Sequence, residues 1–321
     1  MAYEARVLAD SVSGHGDRLT TLEVTFPRMV LSEFNTHRMF SRNSASSRAI
    51  PAEKQLQKVL DEPFIPEEWP VNQPGMQARD VLDAGEASQA VEAWLDARDH
   101  AVLGAAALIG LEASFRKDKE GNVLPEGLAL RQRILELDEK YNYGVLHRLV
   151  PRPVHKQIAN RELEPYMWHT VIVTATEWEN FYALRANPEA QPEIQKAAYL
   201  MQAVQNNASP NMLNPGEYHL PLILEDESDL PLEVKIKVAI GRCARVSYLT
   251  HEGKREIEKD LELYEKLTTS GHMSPTEHVA TPMTLEQKEA AEFSGNFRGW
   301  VQHRKTITYE SNFGKILKDQ S

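Results

Sequence analysis

Residues 19–51 bring a strand pattern, a proline stop and a dense polar segment into immediate succession, and that succession constrains the chain more than any other stretch of it. Leu19 to Phe26 alternates polar and apolar residues with Thr, Val and Phe prominent, which favours a strand, and Pro27 stops it. Met29, Val30, Leu31 and Phe34 form a short apolar stretch. Directly past it, FNTHRMFSRNSASSRAIP concentrates Arg, Asn, Ser and His, the composition of a binding loop placed by a helix. Taken alone, such a Ser/Arg loop also reads as a solvated surface turn.

The rest of the chain alternates helical runs with proline-rich joints. Pro63, Pro66, Pro70 and Pro74 deny a regular helix between Asp61 and Pro74. Ser88 to Ser114 and Leu128 to Arg148 are rich in Ala, Leu and Glu at helical spacing, so helices are expected there, the first capped by Ser88. HTVIVTAT, from His169, reads as a buried strand and TEWENFYALR as the helix after it. Asn206 to Pro231 carries four prolines and several acidic residues and is the best candidate for an internal boundary. Beyond it, Val234, Val238, Ala239, Cys243 and Val246 mark one apolar helical face, and Ile257, Leu261, Tyr264 and Leu267 another.

Composition removes several functions. At 321 residues with 41% hydrophobic content, the chain can bury a substantial core. The single cysteine, Cys243, excludes an intramolecular disulfide and a thiolate metal cage, and it reads as a core residue on its helix. A net charge of -11 opposes binding to a nucleic-acid polymer while leaving room for a local basic pocket that holds a small phosphate. No apolar run reaches the length of a membrane helix and the start lacks a signal-peptide pattern, so the expected address is cytoplasmic. The common dinucleotide, P-loop, zinc-protease and hydrolase signatures are absent. His272, Glu277 and His278 do not place two histidines one helical turn apart, and Pro275 interrupts them, so no metal is expected.

Thr36-His37-Arg38, seven residues, then Ser46 and Arg48, with Asn43 between, resembles the signature of the flavin-dependent thymidylate synthase family. An Arg and two Ser hydroxyls on one loop suit a phosphate dianion, with charge-assisted bonds from Arg48 and neutral ones from Ser46 and Ser47. GRCARVSY followed by SGHMSPTEH resembles the segments that begin the usual family member. Here they follow the signature, the order a circular permutation gives. ENFYALRANPEAQPEIQKAA resembles a third family segment.

The resemblance implies an α/β (α+β) domain over residues 1–321, its mixed or antiparallel sheet flanked by helices. It further implies a helical insertion at 65–152, a joint at 206–231, and a segment 232–321 equivalent to the family's N-terminal part. It assigns Ser46, Ser47, Arg48 and Arg161 to a nucleotide phosphate, and Arg185 to the pyrimidine. His37, Arg38, Asn180, Ser247, His272, Ser274 and Glu277 become flavin contacts. Read by physics alone, Arg185 is equally a helix-end cation.

The sequence also departs from the family. Thr36 stands where the signature has its first arginine, Ser44 where it has an acidic residue, and Thr174 and Thr176 where flavin contacts are usual. FRGWVQHRKTI offers a second His-Arg pair, His303 and Arg304, though only the first copy continues into Asn43, Ser46 and Arg48.

The chemistry implied is alkylation of C5 of a pyrimidine deoxynucleotide monophosphate without a cysteine nucleophile, using FAD, NADPH and methylenetetrahydrofolate, in a homotetramer with active sites at subunit interfaces. Methylation of dUMP is the default. Hydroxymethylation of dCMP or dUMP and a non-catalytic nucleotide-binding homologue are the alternatives.

Overall fold

The computed structural model describes residues 2–47, 49–74, 80–111, 115–246, 256–290 and 295–311. The expected strand is β2 (Arg18–Pro27), and it is the centre of a five-stranded sheet. It pairs antiparallel with β1 (Glu4–Ser13) and with β4 (Trp168–Ala175), which in turn pairs antiparallel with β3 (Ser41–Ser44). β5 (Asn211–Leu213) joins the far edge parallel to β1, giving the order β3-β4-β2-β1-β5 and a mixed sheet. The turn from β1 to β2 passes through Gly16, whose φ of +82° suits a residue without a side chain. β3 lies inside the polar segment that sequence alone presents as loop.

The helices among the described residues are α1 (Leu31–Phe34), α2 (Ala52–Asp61), α3 (Ala84–Leu108), α4 (Pro125–Tyr141), α5 (Lys156–Ala159), α6 (Glu179–Arg185), α7 (Pro192–Asn206), α8 (Leu232–Ala244), α9 (Ile257–Thr269) and α10 (Leu285–Ala290). One face of the sheet, with Leu22, Val24, Phe26, Val171 and Val173, packs on Phe34 and Phe40 and on α6 and α7 through Phe181, Ile194 and Met201. On the other face, Ile172 packs on Cys243 and Val246 at the end of α8. Because both faces are covered, the hydroxyls alternating with the apolar residues of β2 are buried and must find partners. Thr25 bonds Thr170 at 2.9 Å and Thr21 bonds Thr174 at 2.7 Å. The Thr21–Thr174 pair lies in a longer string: His219 Nδ1 bonds Ser11 at 2.9 Å, His219 Nε2 bonds Thr21 at 2.7 Å, and Thr174 bonds His278 Nδ1 at 2.7 Å. His219 comes from the proline-rich joint, which also supplies β5.

α8 and α9 cross closely because residue 241 is glycine; a methyl there would collide with the carbonyl of Asp260. Beside that crossing Arg242, fully buried, donates from Nε to Asp260 at 3.0 Å, from Nη2 to Glu227 at 2.5 Å and from Nη1 to the carbonyl of Leu222 at 2.7 Å.

α2, α3, α4 and the turn Asn160–Tyr166 share a separate apolar cluster that includes Leu56, Val102, Leu103, Leu130 and Ile134. α3 starts four residues before the expected cap. Asp83, not Ser88, caps it, accepting from the backbone N–H groups of Gly85 at 2.8 Å and Glu86 at 2.9 Å, while Glu86 bonds back to the Asp83 N–H at 3.2 Å. A carboxylate with this reciprocal partner outcompetes a serine inside the first turns. The run expected over Leu128–Arg148 breaks at Asn142 and Gly144, both at positive φ, and resumes as a 3-10 turn at Val145–Arg148. No helix among the described residues is long and apolar enough to cross a membrane.

Candidate active site

The polar segment between α1 and α2 is where distant parts of the chain meet. After α1, Thr36 turns its hydroxyl back onto the carbonyl of Glu33 at 2.6 Å, and His37 tucks in against α6. The ring of His37 stands edge-on to Phe181 at 4.9 Å and is almost buried. Arg185, the last residue of α6, donates from Nε to His37 Nε2 at 3.2 Å and from Nη1 to Glu33 at 3.3 Å. Burial, then the charges of Arg185 and Arg42, lower the pKa of His37, which keeps the ring neutral and able to accept. The signature and the ENFYALR segment, 148 residues apart, are thereby joined through one contact.

Arg42 links this contact to a second cluster. Its guanidinium donates to the carbonyls of Phe34 at 3.2 Å and His37 at 3.4 Å. Burial lowers its pKa and the nearby Glu277 carboxylate raises it. Glu277 accepts from Ser41 at 2.6 Å on one oxygen and from Arg304 at 2.5 Å on the other. Arg304 also donates to Glu310 at 2.6 Å, and Gln302 donates to Ser41 at 3.1 Å. Ser274 donates to the carbonyl of Arg42 at 3.1 Å and to the side-chain oxygen of Asn43, whose amide reaches the carbonyl of Cys243 at 3.3 Å. The SGHMSPTEH segment and the second His-Arg copy thus both close on β3, which carries the first copy's Ser41 and Asn43.

Other candidates are dispersed. His272 is exposed, its ring bonding Ser270 at 2.9 Å, whereas His278 is buried on Thr174, so the two histidines of SGHMSPTEH point apart. His303 turns from Arg304 to Tyr264 at 3.2 Å, and burial lowers its pKa to about 4. Thr174 is spent inside the sheet, and Thr176 accepts from the backbone N–H of Arg298 at 3.0 Å. Arg38 and Asn180 are exposed, with no hydrogen bond or ion pair among the described residues, on elements held together by the packing of His37 on Phe181.

The loop after β3 is stapled from elsewhere. Asn160 donates to the carbonyls of Ser47 at 2.8 Å and Ile50 at 3.1 Å, and Lys156 donates to that of Ala49 at 3.0 Å. Arg161, next to that staple, is exposed and pairs with Glu164 at 3.3 Å. Ser47 is 3% exposed while Ser46 is half-buried, so Ser46 is the more accessible of the two hydroxyls. Arg48 and Ser247 lie outside the described residues. Cys243 is fully buried, which pushes its thiol pKa far up, as its core reading expects.

Sequence reasoning missed Glu33, Arg42 and Asn160. Glu33 hides in the apolar stretch before the signature, and Arg42 occupies one of its variable positions. Asn160 sits one residue before Arg161, where a buried amide leaves no periodic trace.

A family model described as Thymidylate synthase complementing protein matches residues 18–211, a span that includes the signature loop and the ENFYALR segment but not SGHMSPTEH. Among solved structures, a UMP/dUMP methylase PolB from Streptomyces cacaoi bound with 5-Br dUMP matches at 14% identity and a TM-score of 0.38, over 66% of this chain and 92% of that one. No curated protein matches the chain.

Proposed function

The chain belongs to the Thymidylate synthase complementing protein family, a family of flavin-dependent, nucleotide-modifying enzymes, and on that premise we propose that it transfers a one-carbon unit to C5 of a pyrimidine deoxynucleotide monophosphate. The observation that carries this reading is the convergence of His37 with Arg185 and of Ser41 and Asn43 with Glu277 and Ser274, since three separated family-like segments share one surface. Arg38 and Asn180, exposed and without a partner among the described residues, fit a flavin's diphosphate and its hydrogen-bonding ring edge. His37, Ser247, His272, Ser274, Glu277, His303 and Arg304 complete the proposed cofactor set. Within it Arg304 supports Glu277, and His303 is held by Tyr264.

Bound FAD supplies the hydride that completes a methyl group, with methylenetetrahydrofolate as carbon donor and NADPH as reductant. The chain's own residues hold and polarise. Ser46, Ser47, Arg48 and Arg161 bind the phosphate, and Arg185 stabilises negative charge developing on the ring. The buried, strongly protonated thiol of Cys243 supports a route without a covalent cysteine adduct. We further propose that residues 232–321 correspond to the family's N-terminal part, that 65–152 is an insertion, and that the enzyme is a homotetramer. Exposed Met39 and Leu184, flanking the His37–Arg185 contact, support an interface there.

The test is an absorbance spectrum of the purified protein, then incubation with dUMP or dCMP, methylenetetrahydrofolate and NADPH, with mass spectrometry of the nucleotide. A flavin spectrum and a gain of one methyl or one hydroxymethyl group is expected. A colourless protein that cannot be reconstituted with FAD and leaves both nucleotides unchanged would sink the reading and leave a binding protein.

A further inference from the structure

Arg185 does not stand alone where the nucleotide reading puts the base. A guanidinium carries five N–H donors and no acceptor. Among the described residues one of these is spent on His37 and one on Glu33, which fixes the plane of the group and leaves three. Glu33 adds only acceptors. The Arg185 and Glu33 side chains keep 22% and 34% of their exposure, so both remain accessible to a ligand. Thr36, where the family has an arginine, brings no competing cation, and its hydroxyl is turned to the main chain of Glu33 rather than to the carboxylate. Arg185 is the one cation that the described residues bring to Glu33.

A pyrimidine meeting this pair finds an acceptor beside a row of donors. The edge of cytosine carries an amino donor at N4 followed by acceptors at N3 and O2, so it matches in order: N4–H to Glu33, N3 and O2 to Arg185. The edge of uracil reads acceptor, donor, acceptor. It achieves only a shifted fit, N3–H to Glu33 and one carbonyl to Arg185, and its other carbonyl is left against the carboxylate with no proton between them. We propose that Glu33 is a specificity-determining residue of the nucleotide site and that it selects a cytosine deoxynucleotide over its uracil counterpart. This inference rests on the reading above, in which Arg185 faces the base.

The experiment is calorimetric titration of the FAD-loaded protein with dCMP and with dUMP, repeated on Glu33→Gln. The wild-type protein binds dCMP about 10-fold more tightly, the lower end of what one matched pair of hydrogen bonds discriminates. Glutamine offers a donor as well as an acceptor, so in Glu33→Gln the ratio falls to about one. The ratio is the readout because general loosening of the site weakens both nucleotides together. Wild-type protein that binds dUMP as tightly as dCMP, or more tightly, overturns the inference and leaves the nucleotide reading intact. A Glu33→Gln protein that keeps the wild-type ratio also overturns it. Binding of neither nucleotide overturns both. The wild-type comparison decides on its own should the variant fail to fold.

Discussion

Arg242 and Arg185 each bind a carboxylate, and the two pairs could hardly be more different in what they are able to do. Arg242 and Asp260 are each 1% exposed, and with Glu227 and the Leu222 carbonyl they consume the guanidinium's donors in tying α8 to α9 and to the preceding turn. Arg185 and Glu33 are partly in solvent at a separation of 3.3 Å, and among the described residues most of the donors of Arg185 stay unspent. A buried pair is costly to break because the survivor has no water to fall back on, whereas a half-exposed pair exchanges partners at little cost. The same chemical pair is therefore a bolt in one place and a receptor in the other, and burial decides which.

The largest effect that tests the contrast comes from Arg242→Ala, which takes this guanidinium from Glu227 and leaves buried Asp260 with Arg245 alone, 3.2 Å away. It is expected to lower unfolding stability by about 3–5 kcal/mol in urea titrations. A loss below about 1 kcal/mol would mean that Arg245 or water makes up for the lost guanidinium at Asp260, and it would erase the distinction.

The histidines extend the contrast to protons. Burial lowers the pKa of His169, His219 and His278 from 6.5 to about 3. As pH falls below 6.5 the unfolded chain takes up protons that the folded chain refuses until about pH 3. Stability therefore drops through that window, by about 1.4 kcal/mol per ring and pH unit. Urea midpoints that stay level between pH 6.5 and 5 would show that these rings are not sealed from solvent.

A smaller effect is expected at the start of α3. Asp83→Ala removes the acceptor of two N–H groups and is expected to cost about 1 kcal/mol, whereas Ser88→Ala changes stability by less than half of that. Equal losses at the two positions would argue against the assigned cap. The smallest effect belongs to Glu33→Gln, expected to change stability by less than about 1 kcal/mol while altering nucleotide preference. A large loss of stability there would make the pair a bolt after all.

Much of the framework is legible in the sequence, for reasons that differ by element. β2, β4 and α6 announce themselves because each has a clear period and a clear stop. β1 is harder to read: its Glu4–Ser13 pattern mixes polar residues with a register shift between Val7 and Ala9, although the glycines of its turn to β2 were a usable signal. β5 has three residues and exists because β1 offers it an edge. At the site, the signature loop stands out by composition, but its partners do not. Glu33 and Arg185 are 152 positions apart, and Ser41 and Glu277 are 236 apart. Contacts of that span are properties of the folded sheet, not of any window of residues.

The string Ser11–His219–Thr21–Thr174–His278 has a consequence in the grammar of its protons. A hydroxyl has one hydrogen to give and two lone pairs, each buried ring, being neutral, carries a single N–H, and the simplest filling has each threonine give one hydrogen and take one within the string. If Thr21 gives to Thr174, then His219 carries its hydrogen on Nε2 and so does His278. If Thr174 gives to Thr21, both carry it on Nδ1. A mixed arrangement fills all four bonds only where one threonine accepts twice and its own hydrogen leaves the string. With both threonines used in this way, the two rings share one tautomer across the width of two strands, and whatever meets the Nε2 of His278, an atom with no partner among the described residues, biases the state of His219 as well.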